Sequence, residues 1–376
     1  MSISVYSDYI ARIEDVIEDA RNGRMFILTD AEDRENEGDL VVPAQMCTPQ
    51  SVNFMAKYGR GLICLALTQE RAAALNIPLM APVNGAPRQT AFTVSIEAKE
   101  GVSTGISAHD RAHTISVAID PTKGPADITT PGHIFPLVAR HGGTLVRAGH
   151  TEASVDIARL AGLNPAGVIC EIMNDDGTMA RMPDLVPFAQ LHGLKIGTIA
   201  DLIAYRRKYD HFVRRTLQMP FESHHGGIWT ICVYANTLEY AEHIVLVKGD
   251  VTTPAPVLVR MHAVNILSDI LADAQRAQDS LGQSMRIIAE QGRGVVVLLR
   301  TTRPTFITDT LTRAASDDAE RRRIKEYGVG AQILLDLGIK DMVLLTDTAE
   351  KKVVALDGYG LNIVGTHAIH GKGDKK

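Results

Sequence analysis

At 376 residues the chain has room for two domains, each large enough to bury a core of its own. Apolar residues make up 45% and charged residues 22%, the balance of a soluble globular protein rather than a disordered or fibrous one. A formal net charge of -5 excludes a global basic field for nucleic acid, so any anion must be bound by local clusters.

The N-terminal residues are acidic and amphipathic with no apolar h-region, so no secretory signal is expected. No apolar run approaches the ~20 residues of a transmembrane helix, and no membrane association is expected. Cys47, Cys64, Cys170 and Cys232 are scattered, without a CxxC pair. They argue against a disulfide framework and a cysteine-rich zinc site, fit a reducing cytoplasm, and read as small buried apolar residues.

Along the chain, Ile10, Ile13, Val16 and Ile17 recur at helical spacing, and Met25 to Thr29 reads as a buried strand. Directly after it, Asp30, Glu32, Asp33, Glu35, Glu37 and Asp39 crowd into ten residues. In an extended segment Glu35, Glu37 and Asp39 point to one face. Carboxylates that close repel one another unless a cation neutralises them, and hard oxygen ligands suit magnesium or manganese. Arg34 inside the run can hold a phosphate or a neighbouring carboxylate. A solvated acidic loop is the alternative that composition leaves open.

Leu62 to Leu67 reads as a second strand. The segment from Pro131 to Thr151 is Gly-rich and carries His133, Arg140, His141, Arg147 and His150. Thr151 can cap a helix that runs through Val155, Ile157 and Leu160 and ends at Gly162. Backbone N–H groups at such a helix start attract anions, so with Arg147 they can form a phosphate seat. An imidazole there can complete an oxygen-rich metal site; histidines satisfied within the structure are the alternative. Gly167 to Cys170 starts another strand, and Glu171 at its end is a candidate base or a surface strand end. The basic stretch Tyr205 to Lys208 is expected to end a helix around Leu202 and Ile203, with a domain boundary near Asp210. The second half again mixes strands (Val295 to Leu299, Met342 to Thr346) with a helix from Gly330 to Leu337. A disordered tail is expected over 370–376. The residues alone thus point to α+β architecture, two mixed α/β domains, the first binding a divalent metal and a small phosphorylated, oxygen-rich substrate. They do not name the reaction.

Four segments go further: Asp33 to Asp39 (DRENEGD), Gly101 to Ala108 (GVSTGISA) followed by Asp110-Arg111, Pro131 to Pro136 (PGHIFP), and Arg147 to Ala153 (RAGHTEA). In this order they resemble the signature of 3,4-dihydroxy-2-butanone 4-phosphate synthase, over roughly residues 5 to 208. The resemblance implies a homodimeric, magnesium-dependent (or manganese-dependent) lyase that turns ribulose 5-phosphate into 3,4-dihydroxy-2-butanone 4-phosphate and formate. It implies Glu35 and His150 as metal ligands, and Arg34, Glu35, Asp39, Glu171 and the run Arg147, Ala148, Gly149, His150 and Thr151 as substrate contacts. It marks His133 and Glu171 as essential for catalysis. A base must remove a proton beside the ketone, and Glu37, Glu171 or His133 can supply it while a metal bridges adjacent oxygens.

From about Pro256 the chain resembles GTP cyclohydrolase II, best over Tyr327 to Leu334. There it departs from the family's chemistry. The places of the zinc thiolates hold Asn265, Arg276 and Gln278, and those of the Asp-x-Arg catalytic pair hold Arg323 and Lys325. No zinc and no GTP hydrolysis are expected. Thr346 and Lys351 remain at places the family uses for nucleotide contact. The expectation is a domain of residues 1–208 that acts as the lyase and a degenerate domain of residues 212–369. The alternatives are a fully bifunctional enzyme and a regulatory or binding pseudoenzyme.

Overall fold

Two seven-stranded sheets organise the chain, which divides between Arg207 and Lys208 into two units. The computed structural model describes residues 3–81, 90–210, 212–237, 241–271, 273, 279–301, 306–312, 328–347 and 361–370. Both sheets mix parallel and antiparallel neighbours.

In the first unit the strands are β1 (Phe26–Thr29), β2 (Gly38–Pro43), β3 (Cys64–Leu67), β4 (Ile96–Ala98), β5 (Ile128–Val138), β6 (Gly167–Glu171) and β7 (Ile196–Thr198). Their order across the sheet is β4-β5-β3-β6-β2-β1-β7. The central strands are apolar apart from Asp39 and Glu171 at the end of β2 and β6, because both faces of the sheet are covered. Ile27, Leu40, Val42, Leu65 and Val168 pack with Ala112 and Ile115 of helix Ala108–Ile119 and Leu185 of helix Met182–His192. The alternate residues Phe26, Leu28, Val41 and Ile169 turn the other way. They meet helices Ile13–Arg21, His150–Leu160 and Ile199–Tyr209 through Val16, Ile157 and Leu202. The period of two along each strand serves both layers at once.

Two helix ends differ from expectation. The helix of Leu202 and Ile203 continues through the basic stretch to Tyr209. Arg206 in that stretch is buried and donates to Asp156 Oδ2 at 2.6 Å and to the Gly142 carbonyl at 2.8 Å. The helix expected to be capped by Thr151 begins at His150, with Gly149 as N-cap. The Ala153 amide donates to the Gly149 carbonyl, which places Thr151 inside the first turn.

The second unit is built from β8 (Val213–Ser223), β9 (Gly227–Asn236), β10 (Ala241–Lys248), β11 (Val257–Ala263), β12 (Gly294–Leu299), β13 (Asp341–Leu345) and β14 (Asn362–His367). Their order is β14-β13-β11-β12-β10-β9-β8. Trp229, Leu246, Leu258 and Val296 pack against Met285 and Ile288 of helix Ser280–Gln291. The helix expected from Gly330 to Leu337 occupies 328–336. Of the expected tail, His370 is bonded to Asp347 through its amide and its ring, and 371–376 lie outside the described residues. Among the described residues no helix is long and apolar enough to cross a membrane.

Candidate active site

The acidic loop leaves the sheet where β1 and β2 stop pairing, at Thr29 opposite Gly38. Asp30 folds it. Its carboxylate accepts the backbone N–H of Glu35 at 2.9 Å and of Glu37 at 2.8 Å. Arg34 donates to Asp30 Oδ2 at 2.8 Å and to Glu35 Oε2 at 2.6 Å. Asn36 adopts φ 55°, a left-handed turn that asparagine tolerates. Arg181 clamps the outside of the turn through the carbonyls of Glu35 and Asn36. Burial of Asp30 works to raise its pKa, but the Glu37 and Glu35 amides, His150 and Arg34 outweigh it and hold the carboxylate below its usual range.

His150 enters from the first turn of helix His150–Leu160 and is buried. Its Nε2 lies 3.2 Å from the Leu28 carbonyl. A carbonyl only accepts, so Nε2 carries the proton and Nδ1 keeps the lone pair. Nδ1 stands 4.0 Å from Glu35 Oε2. Burial lowers the His150 pKa and favours the neutral, metal-ligating ring. One ligand atom each from Asp30, Glu35 and His150 lie within 4.8 Å of one another. Two acceptors facing each other at 4.0 Å suit a shared small cation with ligand distances of about 2.1 Å. The carboxylate oxygens suit magnesium or manganese, and a neutral imidazole can complete such a site.

Asp39 of β2 pairs directly across the ladder with Glu171 of β6. The Glu171 Oε2 accepts the Leu62 amide at 2.9 Å. Asp39 Oδ1 is buried without a hydrogen bond, 3.8 Å from His150 Nε2. Burial first, then the neighbouring carboxylates of Glu171, Glu37, Glu35 and Asp30, push the Asp39 pKa well up. Burial and Glu35 raise that of Glu37 as well. A bound cation would oppose both pushes, and an orphaned buried carboxylate oxygen is what a site designed around positive charge leaves behind.

Arg147, Ala148, Gly149, His150 and Thr151 form the approach and first turn of the same helix, with no side chain capping it. Thr151 is buried. Arg147 is not wholly available to an anion. It donates to Glu152 Oε2 at 2.7 Å and to Thr90 Oγ1 at 3.0 Å. His133 sits on β5, which β3 separates from β6, and its Nδ1 pairs with Glu97 Oε2 at 2.6 Å. Asp30 and Glu97 were not singled out by sequence as distinct site residues.

In the second unit, Asn265 caps helix Ile266–Asp269 by accepting the Leu267 amide at 3.0 Å. Asp269 pairs with His262 Nε2 at 2.8 Å and accepts the Asn265 amide at 2.9 Å. Arg293 spends its guanidinium on the carbonyls of Asp250, Thr253, Ala255 and Pro256. Arg276, Gln278, Arg323, Lys325, Tyr327 and Lys351 lie outside the described residues.

A carboxylate–imidazole cluster on one sheet, beside an uncapped helix start, has the make-up of a metal-assisted enzyme site. Residues 14–205 match the family model of 3,4-dihydroxy-2-butanone 4-phosphate synthase, and residues 214–368 match that of GTP cyclohydrolase II. The chain is 47% identical to the riboflavin biosynthesis protein RibBA of Aquifex aeolicus, over 94% of this chain and 90% of that protein. It is similar to the crystal structure of RibBX, a two-domain 3,4-dihydroxy-2-butanone 4-phosphate synthase from A. baumannii. The TM-score is 0.73 at 42% identity, covering 95% of this chain and 99% of that one. The first unit is also similar to a 3,4-dihydroxy-2-butanone 4-phosphate synthase solved with two magnesium ions, with TM-score 0.51, 42% identity, and coverage of 54% of this chain and 99% of that one. The chain belongs to the 3,4-dihydroxy-2-butanone 4-phosphate synthase family of riboflavin biosynthesis, and its second unit is of the GTP cyclohydrolase II kind.

Proposed function

We propose that this chain converts D-ribulose 5-phosphate into 3,4-dihydroxy-2-butanone 4-phosphate and formate, and that its second unit has no GTP cyclohydrolase II activity. The observation that carries the lyase reading is the convergence of Asp30, Glu35 and His150 within 4.8 Å, next to the opposed carboxylates of Asp39 and Glu171. Glu35 and His150, with Asp30 beside them, would hold magnesium or manganese, as the magnesium-bound relative suggests. Bound there, the cation would supply Lewis acidity that makes the C–H beside the sugar's carbonyl more acidic. The chain's own groups do the rest. Arg34, Asp39 and the Arg147-to-Thr151 turn hold the sugar phosphate in one conformer. Glu171, pinned by the Leu62 amide, Glu37 and His133 are the groups that move protons. The sugar's atoms divide between the two products with nothing added, so neither an oxidant nor a second substrate is required.

The reading of the second unit rests on its residues. A tetrahedral thiolate zinc site of that family's kind needs three cysteines, and beyond residue 208 only Cys232 is present. Asn265 is engaged as a helix cap, and Arg293 is engaged by four carbonyls. We infer further a cytoplasmic homodimer that binds neither nucleic acid nor membrane. Large apolar side chains exposed next to site segments, Ile106 beside Gly105 and Val146 beside Arg147, support a subunit contact close to the active site. Product analysis of the purified chain tests the function: formate and the four-carbon phosphoketone are expected from ribulose 5-phosphate, and no formate from GTP. Turnover of GTP with stoichiometric zinc would overturn the second half of the reading. A chain inert toward ribulose 5-phosphate would overturn the first.

A further inference from the structure

The carboxylate of Glu97 lies outside the cluster of Asp30, Glu35 and His150 and is held on both of its oxygens. It is 10% exposed and belongs to the short strand β4. Register between β4 and β5 is regular at Ile96 opposite Ile134, then slips before Glu97, which faces Thr129. Such an irregularity re-aims a side chain out of the regular ladder, and here the displaced side chain meets His133, a residue of the partner strand. Thr114 Oγ1, from helix Ala108–Ile119, donates to Glu97 Oε1 at 2.9 Å, and His133 Nδ1 sits 2.6 Å from Glu97 Oε2. Both carboxylate oxygens are therefore occupied, each by one donor.

Gly105 closes over the pair. Its φ of +84° suits glycine, and a Cβ there would collide with Glu97 Oε2 and stand 2.5 Å from His133 Nδ1. The segment that carries Gly105 is itself tied down, since the Gly105 amide and the Ser103 hydroxyl both donate to Asp110 Oδ2. The Gly101-to-Ala108 motif thus has a physical reason for its second glycine: no larger residue fits above this contact.

We propose that Glu97 is the positioning residue of His133, fixing its ring and its tautomer so that Nε2 presents a lone pair to the substrate. An ionised carboxylate only accepts, so its partner Nδ1 carries the proton. In a neutral ring Nε2 is then the basic nitrogen, and the side chain is 43% exposed, which leaves that end open to a bound molecule. A base oriented by a third group is the recurring arrangement of proton-transfer sites. The inference rests on the reading of His133 as a group essential to the lyase reaction, and the test separates the two.

The full-length chain is assayed with ribulose 5-phosphate and magnesium as Glu97→Gln, Glu97→Asp, His133→Gln and the double variant Glu97→Gln/His133→Gln. Glutamine keeps the oxygen that Thr114 needs and turns its amide N–H toward Nδ1, forcing the opposite tautomer. The expected result is a kcat about 10²- to 10³-fold lower for Glu97→Gln, with KM and melting temperature close to those of the parent. Glu97→Asp, which keeps the acceptor, should retain more of kcat than Glu97→Gln. A carboxylate with only a packing role would give the reverse order, because glutamine is the closer isostere. The double variant should be no slower than His133→Gln alone. A Glu97→Gln enzyme with normal kcat beside an inactive His133→Gln overturns the role of Glu97. So does a Glu97→Gln that is milder than Glu97→Asp, or a double variant slower by the product of the two effects. A fully active His133→Gln overturns the reading of His133 itself.

Discussion

Asp39 on β2 stands directly opposite Glu171 on β6, two carboxylates paired across neighbouring antiparallel strands. Like charges directly opposed destabilise a sheet, and Asp39 Oδ1 is buried without a hydrogen bond. The fold tolerates this pairing for the sake of the site. Asp39→Asn is therefore expected to raise metal-free stability by on the order of 1 kcal/mol while abolishing turnover. Thermal unfolding in chelator alongside a formate assay checks both halves. A destabilised variant would show that the opposed carboxylates share a stabilising proton or partner instead.

Glu35→Gln and His150→Ala should each lower kcat by at least about 10³-fold at saturating magnesium, with circular dichroism unchanged, because each removes a ligand at the convergence of Asp30, Glu35 and His150. Isothermal titration with magnesium should show weaker binding in both. Near-normal turnover in either variant would remove that residue from the metal site.

The buried pair of Arg206 and Asp156 offers a stability test away from the chemistry. Arg206 Nη1 donates to Asp156 Oδ2, which also accepts the Thr144 amide and hydroxyl at 2.7 Å. The two residues are 4% and 3% exposed. Arg206→Met removes the buried charge partner of Asp156, which keeps the Thr144 donors and Arg159 at 3.7 Å, and is expected to cost about 3 kcal/mol, roughly 10 °C in melting temperature. A loss below about 1 kcal/mol would mean that water or another cation reaches Asp156.

Assembly is read by light scattering. A homodimer is expected, and Ile106→Glu, which places a charge on an apolar side chain 55% exposed in the isolated chain, should weaken it and lower activity in parallel. A stable, fully active monomer would contradict the proposed subunit contact.

What could be read from sequence was what is written locally. The acidic run after an apolar strand and the histidine at a helix start are local patterns, whereas the choice of Glu35 and His150 within them comes from the resemblance of the signature segments. The third member of the carboxylate–imidazole cluster, Asp30, lies in the same run, but its place in the cluster depends on the Glu35 and Glu37 amides being turned back toward it. Glu97 was invisible for a different reason. It sits between apolar residues of a short strand, and its partner His133 is 36 positions away. The basic stretch that holds Arg206 marks a helix end in the sequence but not the burial of Arg206, which depends on Asp156, 50 positions earlier.

The most direct measurement of the central claim is formate release from ribulose 5-phosphate by the full-length chain before and after metal removal. Activity is expected in magnesium, to vanish in chelator, and to return when magnesium or manganese is restored. A rate untouched by chelation that leaves no metal bound, or no formate under any of these conditions, would contradict the assignment.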